Sequence, residues 1–373
     1  MYTSRTEHIA TIPLTATNTS YSLPTNGGLI PSDRWLSKLT LTFAGRMTNP
    51  AANGPSSILA DAPYSLVQRV RISGFHRPRS TNDTFIDLRG ADLRQMMRID
   101  GGRVPFMAPS VAGAPTFVRN LSTTANATND IKFSLDVPFA PLRIPPQVAA
   151  GYLLDAPNWN SLKLEVTFSD AVSVFAGQTT QPAFTAYGST SGNPSLTVHG
   201  DFVQAGAALD GLVPGRVFRY GIETSAGNIV NGGTNLRLID VPKGFAIRSM
   251  LLKTGVKAAV TAGNDVYGTL SNSVLSNILL NVGLGKPIRR YSDFYHIQQD
   301  TESHCRIFPD DGYALLDFVQ NGVLGEALNT AGMTSASVNT DVYLSADVSG
   351  TASQALLAVV EELRYRPTRV SAR

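Results

Sequence analysis

Residues 239–255, with the sequence IDVPKGFAIRSMLLKTG, have a counterpart earlier in the chain, LIPSDRWLSKLTLTFAG at residues 29–45. In both stretches apolar residues precede a proline, a short polar turn follows, an aromatic residue (Trp35 or Phe245) opens a strand, and a glycine ends it. The copies lie about 210 positions apart, which is the scale of a domain rather than of a solenoid repeat. The pattern predicts one β fold used twice, with this element as the entrance strand of each copy.

The bulk composition agrees with two ordered β domains. The chain has 373 residues, which exceeds the usual single core and suggests two domains. Its 32 glycines and 22 prolines are typical of an all-β protein with many turns. Charged residues make up only 16% of the chain, fewer than an ordinary soluble enzyme surface carries. This shortage suggests that much of the outer surface meets other subunits.

Alternating apolar and polar residues predict strands in both halves. Clear examples are residues 131–137 and 162–168 in the first half. Residues 275–282 correspond to residues 66–72, and we match Val70 with Leu280 and Ile72 with Val282. In the first copy of the opening element, Trp35, Leu39, Leu41 and Phe43 are expected on one face, with Leu36, Lys38, Thr40 and Thr42 on the other.

Three segments of the sequence have features of a helix. Residues 92–99 are predicted to be helical, because Leu93, Met96 and Met97 recur at helical spacing behind an acidic start. Residues 289–299 are predicted to form a helix or a turn at the corresponding place in the second half. Residues 353–365 have the composition of a helix, but their place as the last element of the second half favours a strand.

The predicted fold class is all-β, with two tandem jelly-roll β-sandwiches, short helices and long loops. The predicted division of the chain is an N-terminal arm (1–17), a first jelly roll (18–206), a linker (207–215), a second jelly roll (216–366) and a basic C-terminal tail (367–373). Long loops are predicted at residues 101–129, 169–194 and 257–272, and loops of that length are usually functional or exposed.

A search for catalytic, cofactor and metal sites identifies none. The histidines are dispersed without the pairing that seeds a metal site: His8, His76, His199, His296 and His304. The stretch 283–287 lacks the first glycine and the Ser or Thr of a phosphate-binding loop. Asp310 and Asp311, with Asp317, lack the alternating oxygens of a calcium loop and favour a turn. Cys305 beside His304 is expected on a strand, where adjacent side chains point to opposite faces.

Charge and cysteine content exclude further classes. A net charge of +3 is too small to indicate a nucleic-acid binder. The single cysteine, Cys305, excludes an intramolecular disulfide and suggests folding in a reducing cytoplasm. The N-terminus has no apolar signal core and no segment reaches the ~18 apolar residues of a membrane span. We therefore expect a protein that is neither secreted by the usual route nor membrane-spanning.

Basic residues cluster in three places. The groups Arg69, Arg71, Arg77, Arg79 and Lys286, Arg289, Arg290 are interpreted as solvated strand faces. The C-terminus carries four arginines with no acidic residue among them: Arg364, Arg366, Arg369 and Arg373. This pattern supports the hypothesis that the tail contacts an anionic surface.

Three stretches carry a family resemblance: IDVPKGFAIRSMLLK from residue 239, LVQRVRISG from residue 66 and YLLDAPNWNSLKLEVTFSD from residue 152. With the duplicated layout, they make the sequence resemble the double jelly-roll major capsid proteins of tailless icosahedral viruses, particularly bacteriophages with an internal membrane. The resemblance covers most of residues 29–365.

The resemblance implies a homotrimer whose six jelly rolls form a pseudo-hexagonal capsomer of a virion, with assembly in the host cytoplasm. The implied partners are the chain itself, neighbouring capsomers, penton or minor capsid proteins and a viral membrane. No sequence-specific nucleic acid, cofactor or catalytic residue is implied. Membrane or inter-capsomer contacts are assigned to the arm and the tail, through Arg5, Arg364, Arg366, Arg369 and Arg373.

Two other function classes remain open from sequence. A tandem jelly-roll enzyme acting on glycans or peptides would be expected to have a signal peptide, disulfides or histidine pairs. A phage receptor-binding or spike protein would more often show fibrous repeats or a trimeric coil. Neither set of features is present in the sequence.

Overall fold

The structure is a computed structural model. It describes residues 4–14, 20–23, 34–51, 57–59, 61–77, 80–102, 121–169, 174–176, 183–185, 194–203, 212–213, 215–223, 232–257, 267–283, 286–330, 341–349, 354–364 and 368–369.

The first half contains twelve strands and two helices among the described residues. They are β1 (Ser4–Pro13), β2 (Ser20–Leu23), β3 (Trp35–Thr48), β4 (Ser57–Ile58), β5 (Val67–His76), β6 (Thr81–Leu88), α1 (Gly90–Ile99), β7 (Thr128–Pro138), α2 (Pro146–Ala149), β8 (Leu154–Asp155), β9 (Trp159–Phe168), β10 (Phe175–Ala176), β11 (Ala183–Thr185) and β12 (Ser195–Val203).

The second half follows the same plan with twelve strands and one helix in the part of the chain that is described. They are β13 (Leu212–Val213), β14 (Arg216–Glu223), β15 (Gly233–Asp240), β16 (Ala246–Lys257), β17 (Tyr267–Leu270), β18 (Leu275–Val282), β19 (Lys286–Asp293), α3 (Phe294–Cys305), β20 (Tyr313–Asp317), β21 (Leu328–Asn329), β22 (Val342–Val348), β23 (Gln354–Arg364) and β24 (Thr368–Arg369).

The first roll is a sandwich of two sheets with four principal strands each, and the short strands β8 and β11 also pair with β3. Sheet 1A has the order β1-β12-β3-β7, and sheet 1B has the order β2-β9-β5-β6. The first strand of the chain thus lies beside the last, and the second beside the second-to-last. This connectivity of eight antiparallel strands is that of a jelly roll.

The second roll repeats this connectivity strand for strand. Sheet 2A has the order β14-β23-β16-β20, and sheet 2B has the order β15-β22-β18-β19. The helices also correspond, because α1 follows the β5–β6 hairpin and α3 follows the β18–β19 hairpin. The prediction of two tandem jelly rolls with short helices is confirmed.

The repeated element is not the opening strand of either roll, as the sequence had suggested. It corresponds to β3 and β16, and each is the third strand of its roll. Each is also a central strand, lying between the last strand of its roll and the sixth. Central strands are covered on both edges, so their apolar pattern is the easiest to recognise in sequence.

A β-bulge occurs at the same place in both rolls. In sheet 1A the pairing of β3 with β12 skips Ser37, and in sheet 2A the pairing of β16 with β23 skips Arg248. A bulge moves the following side chains to the other face. Leu36 therefore joins the main core with Leu39, and the expectation that Leu36 shares the face of Lys38 is wrong.

A second shared bulge sets the correspondence of the hairpins. Ile72 pairs with Ile86, and the next pair skips Phe85. Leu280 pairs with Arg289, and the next pair skips Ile288. Ile72 therefore corresponds to Leu280, two residues from the match made on sequence.

The predicted helix in the first half is confirmed as α1. The second prediction is wrong for residues 289–293, which belong to β19. The helix α3 begins one residue after Asp293, whose side chain accepts a hydrogen bond from the backbone N–H of His296 at 2.8 Å and so caps the helix. Because α3 continues to Cys305, the expectation that Cys305 lies on a strand is also wrong.

Residues 354–364 form β23, which confirms the choice of a strand. Nine of its eleven residues are buried without alternation, whereas β12, at the same position in the first roll, alternates. Both faces of β23 are covered, which explains its helix-like apolar run.

The two rolls share one continuous sheet. Strand β6 of sheet 1B pairs in parallel with β14 of sheet 2A, and the combined sheet has ten strands. The main hydrophobic core of the first roll also extends across this boundary to second-half residues such as Phe218, Leu251 and Leu315. The core of the second roll lies between sheets 2A and 2B.

Several segments outside the predicted rolls are paired. Strand β1, in the range predicted as an arm, forms nine residue pairs with β12. Strand β24 in the predicted tail pairs with β13 in the predicted linker. The predicted loops hold the short strands β10, β11 and β17, and much of their length falls outside the described residues. Among the described residues, none of the helices is long and apolar enough to cross a membrane.

Candidate functional site

The most distinctive site is the junction between the two rolls. Where β6 and β14 pair, Arg219 lies beside Ile86 and Tyr220 beside Asp87. The outer face of sheet 2A, which would meet solvent in an isolated sandwich, is covered here by α1 and by the first roll. Charged side chains on that face are therefore buried between the rolls, where each needs a partner.

Arg248 is the centre of the junction. The bulge in β16 places its side chain against the first roll, and only 1% of that side chain is exposed. Its guanidinium donates to Asp100, with Nη2 2.6 Å from Oδ1, and also to Glu361 of β23 at 3.0 Å. Arg143 reaches Asp100 from the first roll at 2.9 Å and Asp317 of the second roll at 2.6 Å.

Arg219 extends this network to the end of β7. Its Nε donates to Glu361 at 2.7 Å, and its two terminal nitrogens donate to the carbonyl oxygens of Pro138 and Ala140. Both members of the Arg219–Glu361 pair are fully buried. The backbone of the first roll is thus held by a side chain of the second.

A second buried cluster surrounds Lys253. Its Nζ contacts the carboxylates of Asp61 and Asp92, the latter at 3.3 Å. The hydroxyl of Tyr313 donates to Asp61 at 2.8 Å. Lys253 and Tyr313 belong to the second roll and both aspartates to the first, so this cluster also joins the two rolls.

The helix α1 supplies a third set of contacts. Arg94 lies 2.8 Å from Asp310, and Arg98 lies 2.5 Å from the other oxygen of the same carboxylate. Gln95 donates to Asp310 at 2.6 Å. Asp310 precedes β20 of the second roll, so α1 binds the second roll through one shared carboxylate.

The pKa values of these groups follow from burial and pairing. Burial alone would raise the pKa of Asp100, but the cations Arg248 and Arg143 hold it below the ordinary value. Burial alone would lower the pKa of Arg248, and Asp100 and Glu361 raise it above the ordinary value. Burial, followed by the charge of Asp61, raises the pKa of Tyr313. Asp100, Arg248 and Tyr313 are therefore not poised to exchange protons near neutral pH.

This network fixes the orientation of the two rolls relative to each other. Buried ion pairs return little net stability, because desolvation offsets most of their attraction, but breaking one is costly. Their geometry is also directional, since each arginine must meet its carboxylates along fixed N–H directions. A shared sheet, a shared core and these pairs hold the two rolls in one arrangement.

The thiol of Cys305 is not arranged for nucleophilic chemistry. Cys305 is buried at the end of α3, and burial raises its pKa to about 12. The adjacent His304 is directed to Asp300, whose carbonyl oxygen lies 2.7 Å from Nδ1. Asp310 and Asp317 have arginine partners, and no group of three or more potential metal-ligating side chains occurs among the described residues.

The structure places the predicted contact arginines on different elements. Arg5 is on β1, Arg369 is on β24, and Arg366 and Arg373 lie outside the described residues. Arg364, at the end of β23, is stacked between Phe218 and Phe245 at 3.9 and 4.2 Å from the ring centroids. It also contacts Glu362, so its guanidinium is engaged within the second roll.

Sequence reasoning missed the junction residues. A signal was present, because Arg248 and Lys253 interrupt the apolar run of β16. Glu361 and Glu362 similarly interrupt β23. Charges inside a strand that is otherwise apolar on both faces indicate buried pairs. Which carboxylate meets which cation depends on the packing of the rolls and could not be read from spacing.

Solved structures with similar folds span nearly the whole chain. The MCP of STIV, the Sulfolobus turreted icosahedral virus, aligns with a TM-score of 0.64 at 12% identity, covering 98% of this chain and 98% of that chain. The major capsid protein P2 of bacteriophage PM2 aligns with a TM-score of 0.57 at 11% identity, covering 97% and 98%. The PBCV-1 virus capsid protein aligns with a TM-score of 0.52 at 12% identity, covering 100% and 97%.

At these identities the likeness establishes the fold alone, which is the double jelly roll. No protein-family model and no curated protein sequence matches the chain.

Proposed function

We propose that this protein is a viral major capsid protein that forms trimers and tiles an icosahedral shell. The proposal rests on structural alignments that cover nearly the whole of this chain and nearly the whole of each capsid protein. Both rolls and the junction between them, rather than one sandwich, align with major capsid proteins along nearly the full length of each chain.

The junction supports the same role. A shell subunit transmits force between its neighbours, so its two sandwiches must keep one orientation. The buried pairs of Arg248, Arg219 and Lys253 with first-roll groups supply that constraint. We accordingly propose that the protein is not an enzyme and that its rigid double sandwich is the functional unit.

The finer parts of the proposal follow from the same role. The unit is a pseudo-hexameric trimer located in the virion, made and assembled in the host cytoplasm, with penton or minor capsid proteins as further partners. An internal membrane underlies the shell. Arg5, Arg366, Arg369 and Arg373 provide membrane or inter-capsomer contacts. The first roll takes in β1 as well as residues 18–206, the second spans residues 216–366, and residues 207–215 join them.

Size-exclusion chromatography with light scattering tests the trimer. The expected mass is three times the 39.8 kDa of one chain. Electron micrographs of the purified protein, or of particles containing it, should then show capsomers with six-fold outline. A chain that stays monomeric at all concentrations and salt conditions contradicts the proposal.

A further inference from the structure

Sheet 1A brings together two histidines that are far apart in sequence. His8 of β1 and His199 of β12 are directly paired across the two antiparallel strands. Both side chains lie on the outer face of the sheet, where His8 is exposed and His199 is half-buried. Their ring centroids are 5.5 Å apart, with an angle of 71° between the ring planes. Spacing along the sequence does not reveal this pair, because it depends on the register of the strands.

The separation of the two rings fits a shared metal ion. Zinc binds imidazole nitrogen at about 2.0–2.1 Å, and two such bonds at a tetrahedral angle place the ring centroids about 5 Å apart. The χ2 torsion of histidine is broad, so each ring can turn one nitrogen toward the ion while its backbone stays in place. Directly opposite residues of antiparallel strands have Cβ atoms about 4.5–5.5 Å apart, which suits two side chains that converge on one atom.

The hydrogen bonds of the two rings leave nitrogen lone pairs for a metal. Nε2 of His8 lies 3.0 Å from the hydroxyl oxygen of Thr11. When Nε2–H donates to Thr11, the Nδ1 lone pair of His8 is left to bind, and a ligating histidine usually donates its other N–H in this way. The ring of His199 makes no hydrogen bond within the part of the chain that the structure describes, so its lone pair is also available.

The charges around the pair favour a cation. Asp201 is the next residue on the same face of β12, and Asp136 of β7 lies in the same cross-strand row as His199. Lys38 pairs with both carboxylates, at 3.4 Å from Asp201 and 3.1 Å from Asp136. Two carboxylates and one ammonium give this part of the face a net negative charge, which raises the local concentration of cations.

The fold itself does not require histidines at these positions. Asp201 and Glu361 each lie beside the central-strand bulge of their roll. Two residues back along β12 and β23, His199 matches Val359, whose partner on β14 is Gly221. Val359 packs in the core that the second roll shares with the first. The two imidazoles therefore occur only in the copy whose outer face is accessible to a metal.

We propose that His8 and His199 bind one divalent transition-metal ion of the zinc class, which fastens β1 to sheet 1A. Imidazole suits Zn²⁺, Cu²⁺ and Ni²⁺, whereas Ca²⁺ and Mg²⁺ require oxygen ligands. Water fills the remaining positions, because no third metal-ligating side chain joins the pair among the described residues.

The metal would act on a strand that is held along one edge only. Strand β1 ends sheet 1A and has β12 as its one neighbour in the described part of that sheet. An edge strand with a single neighbour detaches more easily than a central strand, and an ion that binds only the attached state opposes detachment. The site lies within one chain, so it is independent of the proposed trimer.

Calorimetric titration of the full chain with ZnCl₂ tests the site. His8→Gln and His199→Gln should each weaken zinc binding by about tenfold or more, because a single ligand lacks the second attachment. His296→Gln is the matched control, since His296 is an exposed histidine on α3 away from the pair, and it should bind zinc like the parent chain. CuCl₂ should bind more tightly than ZnCl₂, and CaCl₂ should not compete. Equal zinc affinity in all three variants overturns the site.

Hydrogen exchange tests the effect on β1. With free zinc at ten times its dissociation constant, amides of residues 4–13 that exchange by detachment of β1 should exchange about tenfold more slowly. The His199→Gln variant keeps the backbone pairing of β1 and should lose this effect. Residues 342–348 of β22, in sheet 2B, are the internal reference and should exchange at the same rate in both chains. Zinc binding that leaves exchange of β1 unchanged overturns the proposal, as does slowing that persists in His199→Gln.

Discussion

Arg248 and Asp100 meet across the boundary between the rolls, with Nη2 2.6 Å from Oδ1 and both side chains almost completely excluded from solvent. They lie 148 positions apart in sequence, so the pair forms only when both rolls are folded and docked.

The Arg248→Met variant should lower the free energy of unfolding by about 3–5 kcal/mol, because removal of one partner leaves buried carboxylates without their cation. The control is Arg69→Met, which removes the pair with Asp87 on an exposed sheet face, where 52% of the arginine side chain meets solvent. That loss should be about 0–1 kcal/mol. Denaturant unfolding monitored by tryptophan fluorescence measures the loss of stability in both variants. Equal losses would show that the buried pair contributes no more to stability than the exposed pair.

Acid should weaken the junction. The pKa of Asp310 is lowered because Arg94, Gln95 and Arg98 outweigh the effect of burial, and the pKa of Asp100 is lowered similarly. A carboxyl whose folded pKa is depressed contributes stability that is present above its unfolded pKa of about 3.9 and is lost as pH falls through the folded value. The melting temperature should therefore change little from pH 7 to about pH 5 and fall below about pH 4.

The Asp310→Asn variant tests the origin of this acid dependence. It removes one of the depressed carboxyls, so the fall in melting temperature between about pH 5 and pH 2 should be shallower than in the parent chain. Thermal scans in matched buffers of equal ionic strength measure the two slopes. Superimposable pH profiles would mean that Asp310 does not contribute.

Two glycines that end the repeated element differ in how much space they have. A Cβ at Gly255 would overlap the carbonyl oxygen of Thr269 in the neighbouring strand β17, and backbone cannot easily move away. A Cβ at Gly45 would lie 3.0 Å from the ring edge of Phe43 and 3.1 Å from Pro194. Gly255→Ala should destabilise the protein by about 1–3 kcal/mol, and Gly45→Ala by less. Melting temperatures of the two variants give the comparison, and a larger loss at Gly45 would contradict it.

Much of the fold could be predicted because many of its strands alternate apolar and polar residues. Ile131, Phe133 and Leu135 alternate with polar residues and all lie in the core of the first roll. The bulges at Ser37 and Phe85 could not be predicted, because a bulge inserts one residue without a distinctive side chain. The bulge at Ser37 shifts the alternation, which is why Leu36 was placed on the wrong face.

The junction could be predicted only in outline. Glu361 and Val359 are two residues apart on β23 and so lie on the same face of the strand. The two faces of β23 are buried by different rolls, and the local sequence does not indicate that the first roll covers the outer face. The acids come from separate places: Asp61 lies in a turn, Asp92 in the first turn of α1, and Asp100 at the end of α1. These acids meet Lys253 and Arg248 because of the way the rolls dock, and docking is a property of the whole structure.

The arginines of the C-terminal tail give a final prediction. Replacing Arg366, Arg369 and Arg373 with glutamine keeps the length of the tail, and with it the backbone pairing of β24 with β13, but removes three positive charges. If the tail contacts an anionic membrane, each arginine contributes about 1 kcal/mol near the surface, and the contribution declines with salt. The variant should therefore co-sediment less with vesicles containing phosphatidylserine and should give fewer particles in an assembly assay.

The matched control replaces Arg69, Arg77 and Arg237, which have side-chain partners on the rolls, and should bind vesicles like the parent chain. Deleting residues 367–373 separates charge from pairing, because it also removes β24. Vesicle binding and particle yield unchanged by both the substitution and the deletion would remove the tail from the assembly mechanism, while a loss caused by the deletion alone would assign its role to the β13–β24 pair.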